Sequence, residues 1–264
     1  MPRTDPSLPD HGLSDDELPD RDLIERIWRI ASRWAVPVMM TLAYVFLAAT
    51  SETNATGKIW MGVGLGFVLV VWFMFRRLAD TAALARAFSV GDVARLELLA
   101  DRELAHTRRP AARTRPRAAR ARLARAFAHQ LRGEFADALA ALTGVTPPPD
   151  LEPLAHAIRV GASIELGRPA GELVPLAAGA RGSPWLASLI EGELAWHGGQ
   201  LDRAAGQLAR VVDDVRAGSA ARAIAHVYAA RVADARGEAQ AAARHRSVAA
   251  SLASPDAVWL RGPA

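Results

Sequence analysis

The chain has 264 residues, a net charge of +4 and no cysteine. Its length allows one or two domains, and the lack of cysteine excludes disulfides, thiolate catalysis and cysteine-ligated metals. Ala, Leu and Arg dominate, whereas only 2 Tyr and 7 Phe are present, and this composition favours an all-α fold.

The N-terminal segment is acidic. Residues 1–20 are rich in Pro and Asp, which predicts a disordered stretch because little apolar surface is available for burial. In residues 21–33, Leu23, Ile27 and Ala31 recur at helical spacing and charged residues fill the other face. This pattern predicts an amphipathic helix lying beside a membrane.

Two apolar runs without internal charge follow, at 34–51 and 59–75. Each comes close to the roughly 20 residues that span hydrocarbon, so together they predict a two-helix transmembrane hairpin over 34–75. Gly62 and Gly66 share one helical face, where small residues let another helix approach closely. That helix is either the other half of the hairpin or a second copy of the chain.

Arginines flank the predicted hairpin on the same side. Arg33 precedes the first span, and Arg76 and Arg77 follow the second, so the rule that positive flanks stay inside predicts cytoplasmic termini. Arg replaces Lys almost everywhere and Ala is abundant, a bias typical of GC-rich bacteria. The predicted location is therefore an integral protein of the bacterial cytoplasmic membrane, in contact with membrane lipid.

Glycines recur at 32- to 42-residue spacing between helix-forming stretches of the remaining chain: Gly91, Gly133, Gly167, Gly199 and Gly237. Such spacing indicates helical hairpins, because glycine supplies a turn that no side chain obstructs. Small and apolar residues stand at matching distances from these glycines, where they would pack the two helices together: Ala126, Phe135, Ala138, Leu142, Gly192, Leu201, Ala204, Leu208, Ala230 and Ala242.

This arrangement resembles the tetratricopeptide repeat family, although Glu172 and Arg246 depart from its pattern and its tryptophan and proline landmarks are mostly missing. The resemblance implies an α-solenoid of about five hairpins over 76–252, followed by a tail at 253–264. It also implies a concave face that binds an extended peptide or a partner helix.

An arginine-rich insert covers 108–125, and no acidic residue interrupts the chain between Glu103 and Glu134. The insert could contact anionic lipid or an acidic protein, or it could be a solvated linker. Nucleic acid ranks last, because no aromatic residue interleaves with the arginines. The predicted basic patch for an anionic partner comprises Arg108, Arg109, Arg113, Arg115, Arg117 and Arg120.

The sequence contains no recognisable catalytic, nucleotide-binding or metal-binding motif. The closest approach to a metal pair is Glu193 with His197, a spacing that arises often by chance. We therefore predict neither a catalytic residue nor a cofactor nor a metal site.

Together these features predict a non-enzymatic, membrane-anchored adaptor that binds a protein partner of unknown identity through its helical repeats. The alternatives are an accessory subunit of a membrane transport or envelope complex, and an enzyme without a recognisable motif.

Overall fold

The computed structural model describes residues 39, 42, 43, 46, 55–105, 116–178 and 183–262. Within these ranges the secondary structure is helical and no strand occurs, which confirms the all-α prediction. The helices are α1 (Ala55–Val90), α2 (Val93–Ala105), α3 (Pro116–Arg132), α4 (Phe135–Ala141), α5 (Glu152–Glu165), α6 (Ala170–Ala177), α7 (Pro184–His197), α8 (Leu201–Asp213), α9 (Ser219–Ala235), α10 (Ala239–Leu252) and α11 (Val258–Arg261).

The chain divides into two compact units, Met1–Leu78 and Ala79–Ala264. In the first unit, a side chain added at Gly62 or Gly66 would meet nothing within 4 Å among the described residues, so no described helix packs on that predicted face. The predicted segments 1–20 and 21–33 lie outside the described residues, as does most of the run 34–51.

The prediction of a transmembrane hairpin is wrong. Among the helices that the structure describes, none is both long and apolar enough to cross a membrane, and this also overturns the assignment as an integral membrane protein. The run 59–75 shows a physical reason. Seventeen helical residues rise about 26 Å, less than the roughly 30 Å of hydrocarbon, and α1 then continues without a break into Arg76 and Arg77.

In the second unit, all five predicted turn glycines have positive φ angles, between 71° and 86°. The residue after each glycine donates its backbone N–H to a carbonyl five residues back, as Glu134 does to His129 at 2.9 Å and Gln200 does to Ala195 at 2.7 Å. This is the Schellman ending of a helix, in which the left-handed residue is usually glycine. At Gly133, Gly167, Gly199 and Gly237, the two helices that the turn joins also pack against each other.

Most of the predicted packing residues are buried or partly buried. Ala126, Ala138, Leu142, Ala204, Leu208, Ala230 and Ala242 are buried, and Phe135 and Leu201 are partly buried against the same core. At Gly192, an added Cβ would lie 2.9 Å from the Cγ atom of Leu208. The absence of a side chain there lets α7 and α8 approach closely.

The end of this helical array returns to its beginning. Ser219, at the start of α9, donates its hydroxyl to the carbonyl of Ser89 at 3.3 Å, and Ser254 donates to the carbonyl of Gly91 at 2.9 Å. The ring of Trp259 in α11 meets that of Phe135 edge-on, with centroids 5.6 Å apart. The segment predicted as a tail therefore contains a short packed helix, and the array closes instead of remaining an open solenoid.

We expect Gly218→Ala to destabilise the second unit by about 1–3 kcal/mol, because overpacking a close contact forces the backbone to shift. The added Cβ would lie 2.5 Å from the carbonyl oxygen of Ser89 and 2.7 Å from its Cα. The matched control is Gly206→Ala in α8, where nothing lies within 4 Å. Chemical denaturation of both variants should separate them, and equal stabilities would contradict the closure.

Two histidines meet between α9 and α10. Nδ1 of His226 lies 2.9 Å from Nδ1 of His245, so one of these nitrogens must donate a hydrogen bond that the other accepts. Burial lowers the pKa of both imidazoles, and neighbouring positive charge from Arg222 at His226 and from Arg244 at His245 adds to the effect. The folded state therefore disfavours protonation of this pair.

Because both pKa values are lowered in the folded state, the unfolded chain binds more protons below pH 6.5. The free energy of unfolding must therefore decrease as the pH is lowered. The loss should begin near the ordinary histidine pKa and continue through the lower values of the folded state. Denaturation curves between pH 8 and pH 5 should show it, and His245→Asn should weaken the dependence. An unchanged slope in that variant would contradict the pairing.

Candidate binding pocket

The second unit contains a pocket of about 380 Å³. Its walls come from the end of α1 and from α3, α5, α7 and α9, each of which is the first helix before a turn glycine. Apolar side chains dominate the lining, among them Phe88, Phe127, Ile158, Leu189 and Ile224. Because the array closes, these first helices enclose a compact space rather than an extended groove.

Two buried polar side chains also line the pocket. Gln130 on α3 is 3% exposed and Glu193 on α7 is 2% exposed. Both reach towards Gly161 on α5, where an added Cβ would lie 2.6 Å from Nε2 of Gln130 and 3.5 Å from Oε2 of Glu193. The glycine thus leaves room for the amide and the carboxylate to converge.

Beside Glu193, an arginine joins four helices. Arg231 on α9 forms a two-pronged ion pair with Glu165 at the end of α5, one N–O distance being 3.0 Å. Its guanidinium carbon lies 5.0 Å from the ring centres of Trp196 and Tyr228 and 5.9 Å from that of Trp259. We call these five residues the Arg231 cluster.

The one positive charge of the Arg231 cluster forms its ion pair with Glu165. The Tyr228 hydroxyl donates to Oε1 of Glu165 at 2.9 Å, so this carboxylate is well supplied with donors. In contrast, Oε2 of Glu193 has no hydrogen-bond partner among the described residues.

Burial raises the pKa of Glu193 well above its ordinary value of 4.5, and repulsion from Glu165 adds to this, while Arg231 opposes it. A carboxyl group in such surroundings is driven towards its neutral form. The pocket is therefore bordered by an acid that has no hydrogen bond or ion pair of its own among the described residues.

The Glu193–His197 pair does not come together as a metal site. Nε2 of His197 lies 2.8 Å from the carbonyl oxygen of Arg168, at an exposed position, whereas Glu193 points into the interior. A sequence pattern could have indicated that Glu193 is buried. It continues the buried stripe of Leu186, Leu189 and Ile190, where an apolar residue is expected.

Two members of the predicted basic patch lie in α3, and both are paired with acids. Arg117 contacts Glu103 at 2.8 Å and Arg120 contacts Asp150 at 3.4 Å. Arg108, Arg109, Arg113 and Arg115 lie outside the described residues.

The structure also brings His129, Glu134 and Asp137 together around the Gly133 turn, with potential ligand atoms within 4.8 Å of one another. Nδ1 of His129 lies 2.6 Å from Oε2 of Glu134. That hydrogen bond accounts for the grouping, and Glu134 and Asp137 are exposed.

Comparisons with protein-family models, with curated proteins and with solved structures give no match to this chain. The pocket and the Arg231 cluster therefore provide the basis for a functional proposal.

Replacing Arg231 by Met should destabilise the second unit by at least about 2 kcal/mol, since breaking fully buried pairs costs about 3–5 kcal/mol. The change would leave Glu165 and Glu193 without their shared cation while roughly keeping the side-chain volume. Arg236→Met, which breaks the surface pair with Asp202, is the matched control and should cost far less. If both variants lose the same free energy of unfolding in denaturation experiments, the Arg231 cluster stabilises the fold no more than a surface ion pair does.

Proposed function

We propose that this chain is a non-enzymatic adaptor whose second unit binds a protein partner by enclosing one of the partner's side chains in the pocket. The observation that carries the proposal is the pocket itself, with a volume of about 380 Å³ and mainly apolar walls. Concave sites with a few convergent polar groups are the usual places for binding.

Several features favour binding over catalysis. Gln130 and Glu193 are the buried polar side chains of the lining, and they do not include a nucleophile with a neighbouring base. The lining is shared among five helices that are fixed by glycine turns and by the Arg231 cluster, so its shape is set in advance. A preformed site loses little conformational entropy when a partner arrives.

The resemblance to tetratricopeptide repeats supports the adaptor function, because such hairpin arrays commonly hold protein partners. The closed array changes the expected mode of binding, however. A continuous concave face would accept an extended peptide, whereas this pocket accepts a compact anchor such as one large side chain. Interfaces often concentrate their binding energy in one such buried anchor.

Filling the pocket should abolish partner binding. Ala157 lines the pocket and is 9% exposed, so Ala157→Phe should occupy the space that the anchor needs. The matched control is Ala243→Phe on the exposed face of α10. Proximity labelling from a C-terminal fusion in the native cell should recover a partner with the wild type and the control, and at least about tenfold less with the pocket variant.

Both variants should first be shown to fold by circular dichroism and thermal unfolding. If folded Ala157→Phe labels the same proteins to the same extent as the control, the pocket is not the partner's binding site.

A further inference from the structure

The interior beside the pocket contains two neighbouring carboxyl groups and one arginine. Glu165 and Glu193 are close enough to raise the cost of ionising Glu193, and Arg231 is the cation that faces them both. Its guanidinium is oriented by the paired contact with Glu165 and by the three aromatic rings. Buried carboxylates normally have a charged or hydrogen-bonding partner, so the missing partner of Glu193 calls for an explanation.

Glu193 also borders the pocket. It forms part of the lining together with Gln130, while Leu189 and Ile158 provide apolar wall. Trp185 on the same helix is partly exposed whereas Glu193 is 2% exposed, so the carboxylate lies on the buried side of the lining. The stem of an occupant would therefore contact apolar side chains, while its tip would lie near the carboxyl group of Glu193.

We propose that the occupant is a basic side chain of the protein partner, whose apolar stem fills the pocket and whose cationic nitrogen pairs with Glu193. This inference rests on the proposed function and specifies the chemistry of the anchor. Lysine and arginine have this construction, a hydrocarbon stem that tolerates burial and a charged tip. The pair would balance the second buried carboxylate as Arg231 balances the first.

Binding of a cation should release a proton. In the empty pocket, burial and repulsion from Glu165 favour the protonated form of Glu193, against the attraction of Arg231. When an ammonium ion enters, the carboxyl group gives its proton to solvent and the resulting carboxylate pairs with the cation. Tyr228 also faces this region, and at the mouth the charged residues Asp150 and Arg216 line the pocket.

The test uses the full chain and 4-phenylbutylamine as a probe, with 4-phenylbutanol as its neutral analogue, in isothermal titration calorimetry. The amine should bind at least about tenfold more tightly than the alcohol, which a single charge pair in a desolvated site can provide. Below the raised pKa of Glu193, its affinity should increase with pH by up to about tenfold per pH unit, the limit for release of one proton. The binding enthalpy measured in buffers with different ionisation enthalpies should give the number of protons released.

Glu193→Gln keeps the shape and removes the charge. It should lower the affinity for the amine to that for the alcohol, leave the alcohol unchanged, and remove partner labelling in cells. Ala243→Phe should bind both probes as the wild type does. Equal binding of amine and alcohol by the wild type, or unaltered amine binding by Glu193→Gln, would overturn the proposal.

The two proposals fail in different ways. If Ala157→Phe loses the partner but Glu193→Gln keeps it, the pocket still binds the partner and only the basic anchor is disproved, whether or not the amine binds. If both variants keep the partner, the proposed function itself is wrong.

Discussion

The ion pair between Arg231 and Glu165 is the interaction on which the interior of the second unit depends. It joins the end of α5 to α9, and the rings of Trp196 and Trp259 bring α7 and α11 against the same guanidinium. A planar cation can pair with a carboxylate at its edge while its faces meet aromatic rings, which a lysine could not do equally well. One residue thereby fixes four helices and leaves Glu193 beside it without a cation of its own.

Backbone geometry brings these helices to that residue. Five Schellman endings terminate helices at intervals of 32 to 42 residues, and the helix that precedes each of them lines the pocket. The contact of Gly218 with the backbone of Ser89 then joins the end of the array to its start. A closed set of inner helices leaves a compact pocket, and the proposed binding of one anchor side chain instead of an extended peptide is based on that shape.

Much of the helical organisation could be predicted from the sequence, because it depends on local rules. A glycine flanked by helix-forming residues marks a turn, and Ala126, Ala138 and Leu208 were recognisable by their distance from such a glycine. Closure of the array was not predictable, because it depends on pairs such as Ser254 with Gly91 that lie 163 residues apart. The same holds for Glu193, whose missing partner becomes visible only when Glu165 and Arg231 are in place. The transmembrane prediction was wrong because an apolar run of near-spanning length was considered without the charged helix that continues it.

Glu193 is a buried acid without a hydrogen bond or ion pair of its own among the described residues, and the proposed binding of a cation depends on this. The most direct test is a carbon-13 NMR titration of its side-chain carboxyl in the full chain, assigned with Glu193→Gln. We expect the pKa of Glu193 to lie well above the ordinary 4.5 and to fall when 4-phenylbutylamine is added. A carboxyl that titrates at the ordinary value, with or without the amine, would contradict it.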